Sequence, residues 1–374
     1  MAILETIPGL TDDDRHLIRI LLANTSLQVQ FNGVMTAPFQ STIGSPQGDG
    51  LSPLLFAIYL EAALREFRAR GPQRPEIDVT LGLPEYAIYA DDTDFISTCS
   101  VYLDLVQQTV GPIFAEFNLL VNVDKTERNR IGHSDMGVNH KEWKGTRKLG
   151  SLLGVGEDVD KRFQLAMASF RSLDYVWKHG SHVAEHVRIQ AYRAIVESVL
   201  LYNCGTWALP VTVADRLDRA QRKMMRRVLG LQWYDKVTNA DLYARTGIRP
   251  ASEQVVYVRW RLFGHTLRLD EKTPARQAML YYFEKGPYNG RSGNPLNVAT
   301  ALSNEYVSVK KGPIKSHSEF DAIHTCAQDR DAWKQLTSDV VAKFIEYQEA
   351  KALKLTEARK AKDCSVNSTN RCFD

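Results

Sequence analysis

The spacing of apolar residues divides the chain into a mixed first part and a helical remainder. Thr11 followed by Asp12, Asp13 and Asp14 predicts a helix start for Thr11–Leu22, because a Thr cap and first-turn acids complement the free N–H groups there. The three aspartates read as capping rather than as a metal site, since adjacent helical side chains point in different directions. Leu27, Val29 and Phe31 then alternate with polar neighbours, Asn32-Gly33 marks a turn, and a second extended run follows, predicting a β-hairpin. Leu54, Leu55, Ile58, Ala62 and Leu64 give helical spacing to Leu51–Arg68. Tyr86–Ser97 reads as two strands around a tight acidic turn. Tyr102–Phe117 is helical through Leu103, Val106, Val110, Phe114 and Phe117, with Pro112 a point for a kink. Leu119–Val123 reads as a short strand ending at Asp124-Lys125. This order predicts an α+β layer of helices on an antiparallel sheet.

From about Val155 the pattern turns helical. His182–Tyr202 carries Val187, Ala191, Ile195, Val199 and Tyr202 at helical spacing. Asp215–Leu229 sets Leu217, Met224 and Val228 on one side, with polar Gln221 interrupting the stripe. Glu253–Leu269 and Phe320–Leu355 are further helices. Tyr288–Pro313 is rich in Gly, Asn, Ser and Pro and reads as a linker, and Asp363–Asp374 as a disordered tail. The expected divisions are 1–154, 155–240 and 241–374, with the linker at about 288–313.

Composition narrows the class without naming a partner. The 374 residues are 44% hydrophobic and 24% charged, a globular balance that excludes a wholly disordered or fibrous chain. The net charge of +3 permits a polyanionic partner and does not demand one. Five scattered cysteines have no zinc-ligand spacing. The stretch Ala194–Ala214 contains Glu197, Asn203 and Pro210, so no segment reads as a membrane span. His179, His182 and His186 read as helix-surface histidines. No nuclear-import run of bases is present, which leaves nucleus and cytoplasm both open for an intracellular protein.

Two segments carry candidate chemistry. Gly44-Ser45-Pro46-Gln47-Gly48-Asp49-Gly50 opens into an apolar helix, and its glycines let backbone approach a bulky ligand. Taken alone it reads equally as a loop that caps a helix. Tyr89-Ala90-Asp91-Asp92 places two acids at the tip of an apolar hairpin, where hard carboxylate oxygens suit Mg²⁺. Taken alone it reads equally as a solvated acidic turn. Asp215–Leu229 also carries Arg216, Arg219, Arg222, Lys223, Arg226 and Arg227. That stripe reads either as a track for a nucleic-acid backbone or as a solvated helix face. Tyr257, Arg259, Trp260, Arg261, Phe263 and His265 mix aromatics with bases, and read as an amphipathic helix with snorkelling Arg in preference to a base-stacking surface.

The two segments occur in the order found in polymerases, and the chain resembles the reverse transcriptases of non-long-terminal-repeat (LINE-type) retrotransposons. Gly44–Tyr59 matches the palm motif with a Pro-Gln-Gly core, and Tyr89–Asp92 matches the YxDD box. Asn118–Glu127, with Lys125, is similar to the motif that follows, and Leu149–Gly154 to the primer grip. Ser198–Trp207, Phe263–Arg268, Gly290-Arg291 with Pro295, and Asp329–Trp333 resemble segments further downstream. A group II intron maturase is the other polymerase considered, and those last two segments favour the LINE type.

The resemblance implies a partial right-hand palm followed by a helical thumb and a helical C-terminal region. It implies an RNA template, a DNA primer, deoxynucleoside triphosphates and two Mg²⁺ ions, with no membrane. Asp91 and Asp92 would be the metal carboxylates, and Lys125 would face the triphosphate. Pro46, Gln47, Gly48, Tyr89 and Ala90 would lie at the substrate and primer end. Leu149, Gly150, Leu153 and Gly154 would support the primer backbone, and Arg219, Arg222, Lys223 and Arg226 would contact nucleic acid. A further palm aspartate and the fingers belong upstream of Gly44 in such enzymes, and the chain is expected to start too late for them. An N-terminally truncated polymerase, inactive alone, is therefore expected. A non-catalytic nucleic-acid-binding remnant and a non-functional relic are the alternatives.

Overall fold

The computed structural model describes residues 2–369 apart from positions 8, 24–25, 41–43, 45–47, 81, 132–141, 179–181, 285–296 and 311–316. The chain forms two compact units, Met1–Glu127 and Arg128–Asp374. This division lies upstream of the expected one at 154, so residues 128–154 belong with the helical part.

In the first unit, α1 (Ala2–Glu5) and α2 (Asp12–Ala23) precede four short strands. These are β1 (Ser26–Leu27), β2 (Gln30–Phe31), β3 (Val34–Met35) and β4 (Phe39–Gln40). Then come α3 (Ser52–Arg70), α4 (Glu76–Thr80), β5 (Tyr86–Tyr89), β6 (Asp92–Phe95) and α5 (Ser100–Glu116). The α2 start is capped as its sequence predicts: Thr11 and Asp14 exchange side-chain to backbone bonds at 3.0 and 3.2 Å. The Thr11 hydroxyl and the Thr11 N–H, both donating to Asp14 Oδ2, hold that carboxyl below its usual range. Asn32 and Gly33 both adopt positive φ, 49° and 80°, which closes the β2–β3 hairpin in register Phe31↔Val34.

The expected single antiparallel sheet is replaced by separate two-stranded pairs: β1 with β4, β2 with β3, and β5 with β6. Leu119–Val123 forms no strand; Val123–Lys125 is a 3₁₀ turn, and Leu120 is 89% exposed. A strand needs a neighbour for its N–H and C=O groups, and among the described residues none pairs with this segment. The core of this unit joins Leu60, Ala63, Leu64 and Phe67 of α3 to Tyr102, Val106, Val110, Ile113 and Phe114 of α5. The buried face of α3 is therefore rotated from the predicted stripe; Leu64 belongs to it, whereas Leu54 faces solvent.

The second unit opens with the hairpin β7 (Arg147–Lys148) and β8 (Ser151–Leu152), followed by α6 (Val155–Ser172) and α7 (Asp174–Lys178). Next come α8 (Glu185–Ala191), a π-helical stretch Tyr192–Glu197, and α9 (Ser198–Leu200). α10 (Val211–Leu229), α11 (Asn239–Thr246) and α12 (Ala251–Leu267) complete a first layer. α13 (Pro274–Glu284), α14 (Val298–Lys310), α15 (His317–Gln328) and α16 (Arg330–Thr369) complete the second. α12 serves both cores, with Val255 in one and Val256, Trp260, Phe263 and Leu267 in the other.

Three sequence expectations change here. The middle of the expected linker is α14, which buries Ala299, Leu302 and Tyr306. The last helix continues through 363–369, where a tail was expected. Arg259 does not snorkel: it is buried and paired with Glu305, which also accepts from Trp260 Nε1 at 2.8 Å. Gln221, the polar break in α10, is fully buried because it donates to Glu197 and to the Arg249 carbonyl, both at 3.0 Å, and accepts from Ala251 N. The Phe263–Arg268 and Asp329–Trp333 segments meet as core: a Cβ on Gly264 would come within 2.7 Å of Trp333 Cδ1. No described helix is long and apolar enough to cross a membrane.

Candidate functional site

The β5–β6 hairpin is anchored at one end and open at the other. At its base, Phe95 packs on Phe67 at 5.2 Å and on Tyr86 at 6.0 Å, while Arg68 lies over the Tyr86 ring. Asp78 of α4 holds the strand exit. Its buried carboxylate accepts from Ser97 Oγ, Thr98 N and Thr98 Oγ1 at 2.5–2.9 Å. Burial raises this carboxyl, but the Ser97 and Thr98 bonds and the Arg74 charge outweigh it, so it lies below its usual range.

At the tip, Tyr89 pairs with Asp92, which leaves Ala90-Asp91 as a two-residue turn. Ala90 sits at φ 53°, a left-handed conformation that a Cβ disfavours. Non-glycine residues held there cluster at functional sites. Tyr89, Ala90, Asp91 and Asp92 are all exposed. Asp92 and Asp94 share one face of β6 by strand alternation. Two hard carboxylates on an open turn fit a divalent cation chemically. Among the described residues, no group of three or more His, Cys, Asp or Glu is gathered to hold a metal.

Gly48 has φ 94° and Asp49 Oδ1 accepts from Leu51 N at 3.2 Å, so the glycine loop leads into α3 through a side-chain turn. Pro46 and Gln47 lie outside the described residues, as do His179, Gly290, Arg291 and Pro295. Lys125 ends the 3₁₀ turn, where its N–H donates to Asn122 Oδ1 at 3.2 Å. Its ammonium forms no ion pair with a described carboxylate.

Within the second unit, Leu149 and Gly150 form the β7–β8 turn with φ 47° and 81°. A buried polar set from α6 and the residues after α9 fixes this turn. Asp158 accepts from Leu152 N and from Trp207 Nε1, each at 2.8 Å. Arg162 donates to the Gly150 carbonyl and to Ser151 Oγ, and its guanidinium lies 4.1 Å from the Tyr202 ring centre. Tyr202 Oη donates to the Leu149 carbonyl at 2.9 Å, and Asn203 to Ser151 Oγ at 3.1 Å. A Cβ on Gly154 would approach Lys144 Cβ to 2.6 Å, so glycine is required where α6 begins. These supporting residues were missed in the sequence; the i,i+4 pair Asp158–Arg162 was the available signal.

α10 separates its cations into two sets. Arg216, Arg219, Lys223 and Arg227 form the exposed stripe. Arg216 pairs with Asp160 and Arg227 with Asp174, as exposed ion pairs of little energetic weight. Arg222 and Arg226 are half-buried and turn toward α11: Arg222 donates to Tyr243 Oη, and Arg226 to Asn239 Oδ1 at 2.8 Å and to the Val237 carbonyl. Of the four predicted contacts, Arg219 and Lys223 are therefore presented to solvent, and Arg222 and Arg226 brace the helix pair.

Residues 9–153 match the family model of reverse transcriptase (RNA-dependent DNA polymerase). The matched span includes the glycine loop, the Tyr89–Asp92 turn, Lys125 and the β7–β8 hairpin. No curated protein matches the chain. By its description the family is one of RNA-directed DNA polymerases.

Proposed function

We propose that this chain is the polymerase portion of a non-long-terminal-repeat (LINE-type) retrotransposon protein, with Asp91 and Asp92 as its metal-holding carboxylates. The observation that carries this reading is the turn itself: a YADD sequence at an exposed hairpin tip, with Ala90 in a left-handed conformation, inside a reverse transcriptase domain. Bound Mg²⁺ supplies positive charge for the primer 3′-hydroxyl and the triphosphate. Asp91 and Asp92 present oxygens at the turn, and Tyr89 flanks them as an exposed aromatic face for the primer end. Lys125 offers a cation for the triphosphate, and Gly48 lets backbone approach the nascent pair. The β7–β8 turn would serve as the primer grip, stiffened by Asp158, Arg162 and Tyr202. Residues 155–240 would form the thumb.

Two ions beside a triphosphate need several carboxylates, so the pair at this turn is expected to sustain weak synthesis at most by itself. Primer extension on an RNA template, with template–primer binding measured alongside, tests both parts. The expected result is binding, with faint Mg²⁺-dependent extension that Asp91→Asn abolishes. Robust synthesis by the purified chain would contradict the limit set by two carboxylates. Failure to bind template–primer would contradict the polymerase reading. A second reading, binding without catalysis, draws on the exposed Arg216, Arg219, Lys223 and Arg227 stripe, and template–primer binding with no extension would favour it.

A further inference from the structure

The loop between α10 and α11 buries its small apolar residues and exposes its large ones. Leu231 and Val237 pack against the core of this layer. Between them, Trp233 is 89% exposed and Tyr234 is 61% exposed. Their rings touch only edge to face, with centroids 5.9 Å apart and planes at 75°. Isolated exposed hydrophobics are ordinary on a protein surface. Two consecutive aromatics on a backbone fixed from several sides are not explained in that way.

The fixing is specific. Gln232 N donates to Asp235 Oδ2 at 2.7 Å, and the Gln232 side chain accepts from the Asp235 backbone, so a short capping box closes the 3₁₀ turn Trp233–Asp235. Lys236 leaves the turn at φ 50°. Thr238 caps α11 by accepting from Asp241 N at 3.1 Å. Arg226 reaches across from α10 to the Val237 carbonyl and to Asn239. Arg226 is therefore a positioning residue for the loop, and so is Arg222 for α11 through Tyr243. Burial pushes the Tyr243 hydroxyl up, and the Arg222 hydrogen bond opposes that rise.

The aromatic tip continues from the C-terminal end of the exposed cationic stripe, where Lys223 and Arg227 lie within the last two turns of α10. Lys223 forms no ion pair with a described residue, Arg227 lies in an exposed pair with Asp174, and Asp235, the acid on the tip, is engaged by the Gln232 N–H. Two exposed aromatic faces that follow exposed cations along the chain suit one ligand chemistry well: unpaired nucleobases joined by phosphates. We propose that Trp233 and Tyr234 form a stacking platform for single-stranded nucleic acid, with Lys223 and Arg227 taking the adjoining phosphates. A duplex hides its base faces within the stack, so it would use the cationic stripe without the platform. The inference rests on the nucleic-acid reading of the chain, and goes beyond it by assigning strandedness to one loop.

The test uses the full chain and fluorescence anisotropy with a short labelled oligothymidylate and a blunt duplex of equal length. The Trp233→Ala/Tyr234→Ala double variant is expected to lose about tenfold or more in single-strand affinity. Its duplex affinity and its salt dependence are expected to stay as in the unsubstituted chain, because the phosphate contacts remain. Trp233→Phe restores a stacking face and is expected to keep most of the affinity. Equal loss on both ligands, or no loss on the single strand, would overturn the platform. Binding of neither ligand by the unsubstituted chain would overturn the nucleic-acid reading, and the platform with it. Unchanged thermal unfolding of the variants excludes a folding defect, since both side chains are exposed.

Discussion

In Met1–Glu127, Phe31, Val34, Met35, Phe39 and Leu120 stand in solvent, while in Arg128–Asp374 the indoles of Trp177, Trp207, Trp260 and Trp333 are buried. α2 buries no residue among those of the first unit, whereas α12 alone buries eleven of its seventeen in the second. Burial of apolar area is the main driving force of folding, so the second unit has the means to hold its own shape. The first unit rests on the α3–α5 pair, with two-stranded hairpins attached, and such hairpins are marginal without support. The residues proposed above for catalysis, Asp91 and Asp92, sit at the open end of one of them. The proposed metal-holding turn and the larger buried core thus lie in different parts of the chain.

The strongest way to break this comparison is to remove the charge that organises the β7–β8 turn. Asp158→Ala leaves Arg162 buried beside an empty carboxylate position, and such a loss costs about 3–5 kcal/mol. Denaturant unfolding should show the second unit destabilised to that degree; a change within measurement error would show that Asp158 is not a keystone.

The same experiment in the first unit should give a smaller effect. Asp78→Ala removes an acceptor of three hydrogen bonds and should cost roughly 1–3 kcal/mol. Its pH dependence has a definite sign. The folded carboxyl is depressed, so its contribution is present above the ordinary aspartate value of 3.8 and is lost as pH falls through the lower folded value. Acid unfolding followed by circular dichroism should therefore begin at higher pH in Asp78→Asn than in the unsubstituted chain. Identical acid midpoints would contradict the role given to Asp78.

The smallest effect belongs to the exposed hairpin. Phe31→Ser on β2, at 74% exposure, should change stability by no more than about 0.5 kcal/mol. A loss comparable with that of Asp78→Ala would mean that Phe31 is covered in solution, and that the first unit is less open than it stands here.

Local signals were legible and long-range ones were not. Asn32-Gly33 marked a hairpin because only a positive-φ pair closes it, and the acidic turn at Asp91 was read from two flanking apolar runs. Thr11 and its acids marked a cap through bonds three residues long. By contrast, Leu119–Val123 has the composition of a strand and, among the described residues, no strand beside it. Arg259 reads as a surface cation in the sequence because its partner Glu305 lies 46 residues away. Gln221 broke an apolar stripe and proved to be its most connected member, through Glu197, Arg249 and Ala251. The division of the α10 cations depends on α11, which the spacing within α10 does not reveal. The Tyr89–Asp92 turn is legible in the sequence because its acids and its hairpin geometry lie in four consecutive residues.

The most direct measurement is Mn²⁺ binding to the full chain, followed by electron paramagnetic resonance, with Asp91→Asn and Asp92→Asn compared against the unsubstituted protein. Mn²⁺ accepts the same hard oxygen ligands as Mg²⁺ and is visible to the method. The expected result is weak binding by the unsubstituted chain, reduced by Asp92→Asn and abolished by Asp91→Asn, with unfolding unchanged because both side chains are exposed. Equal Mn²⁺ binding by all three proteins would contradict the assignment of this turn as the metal-holding end of a polymerase.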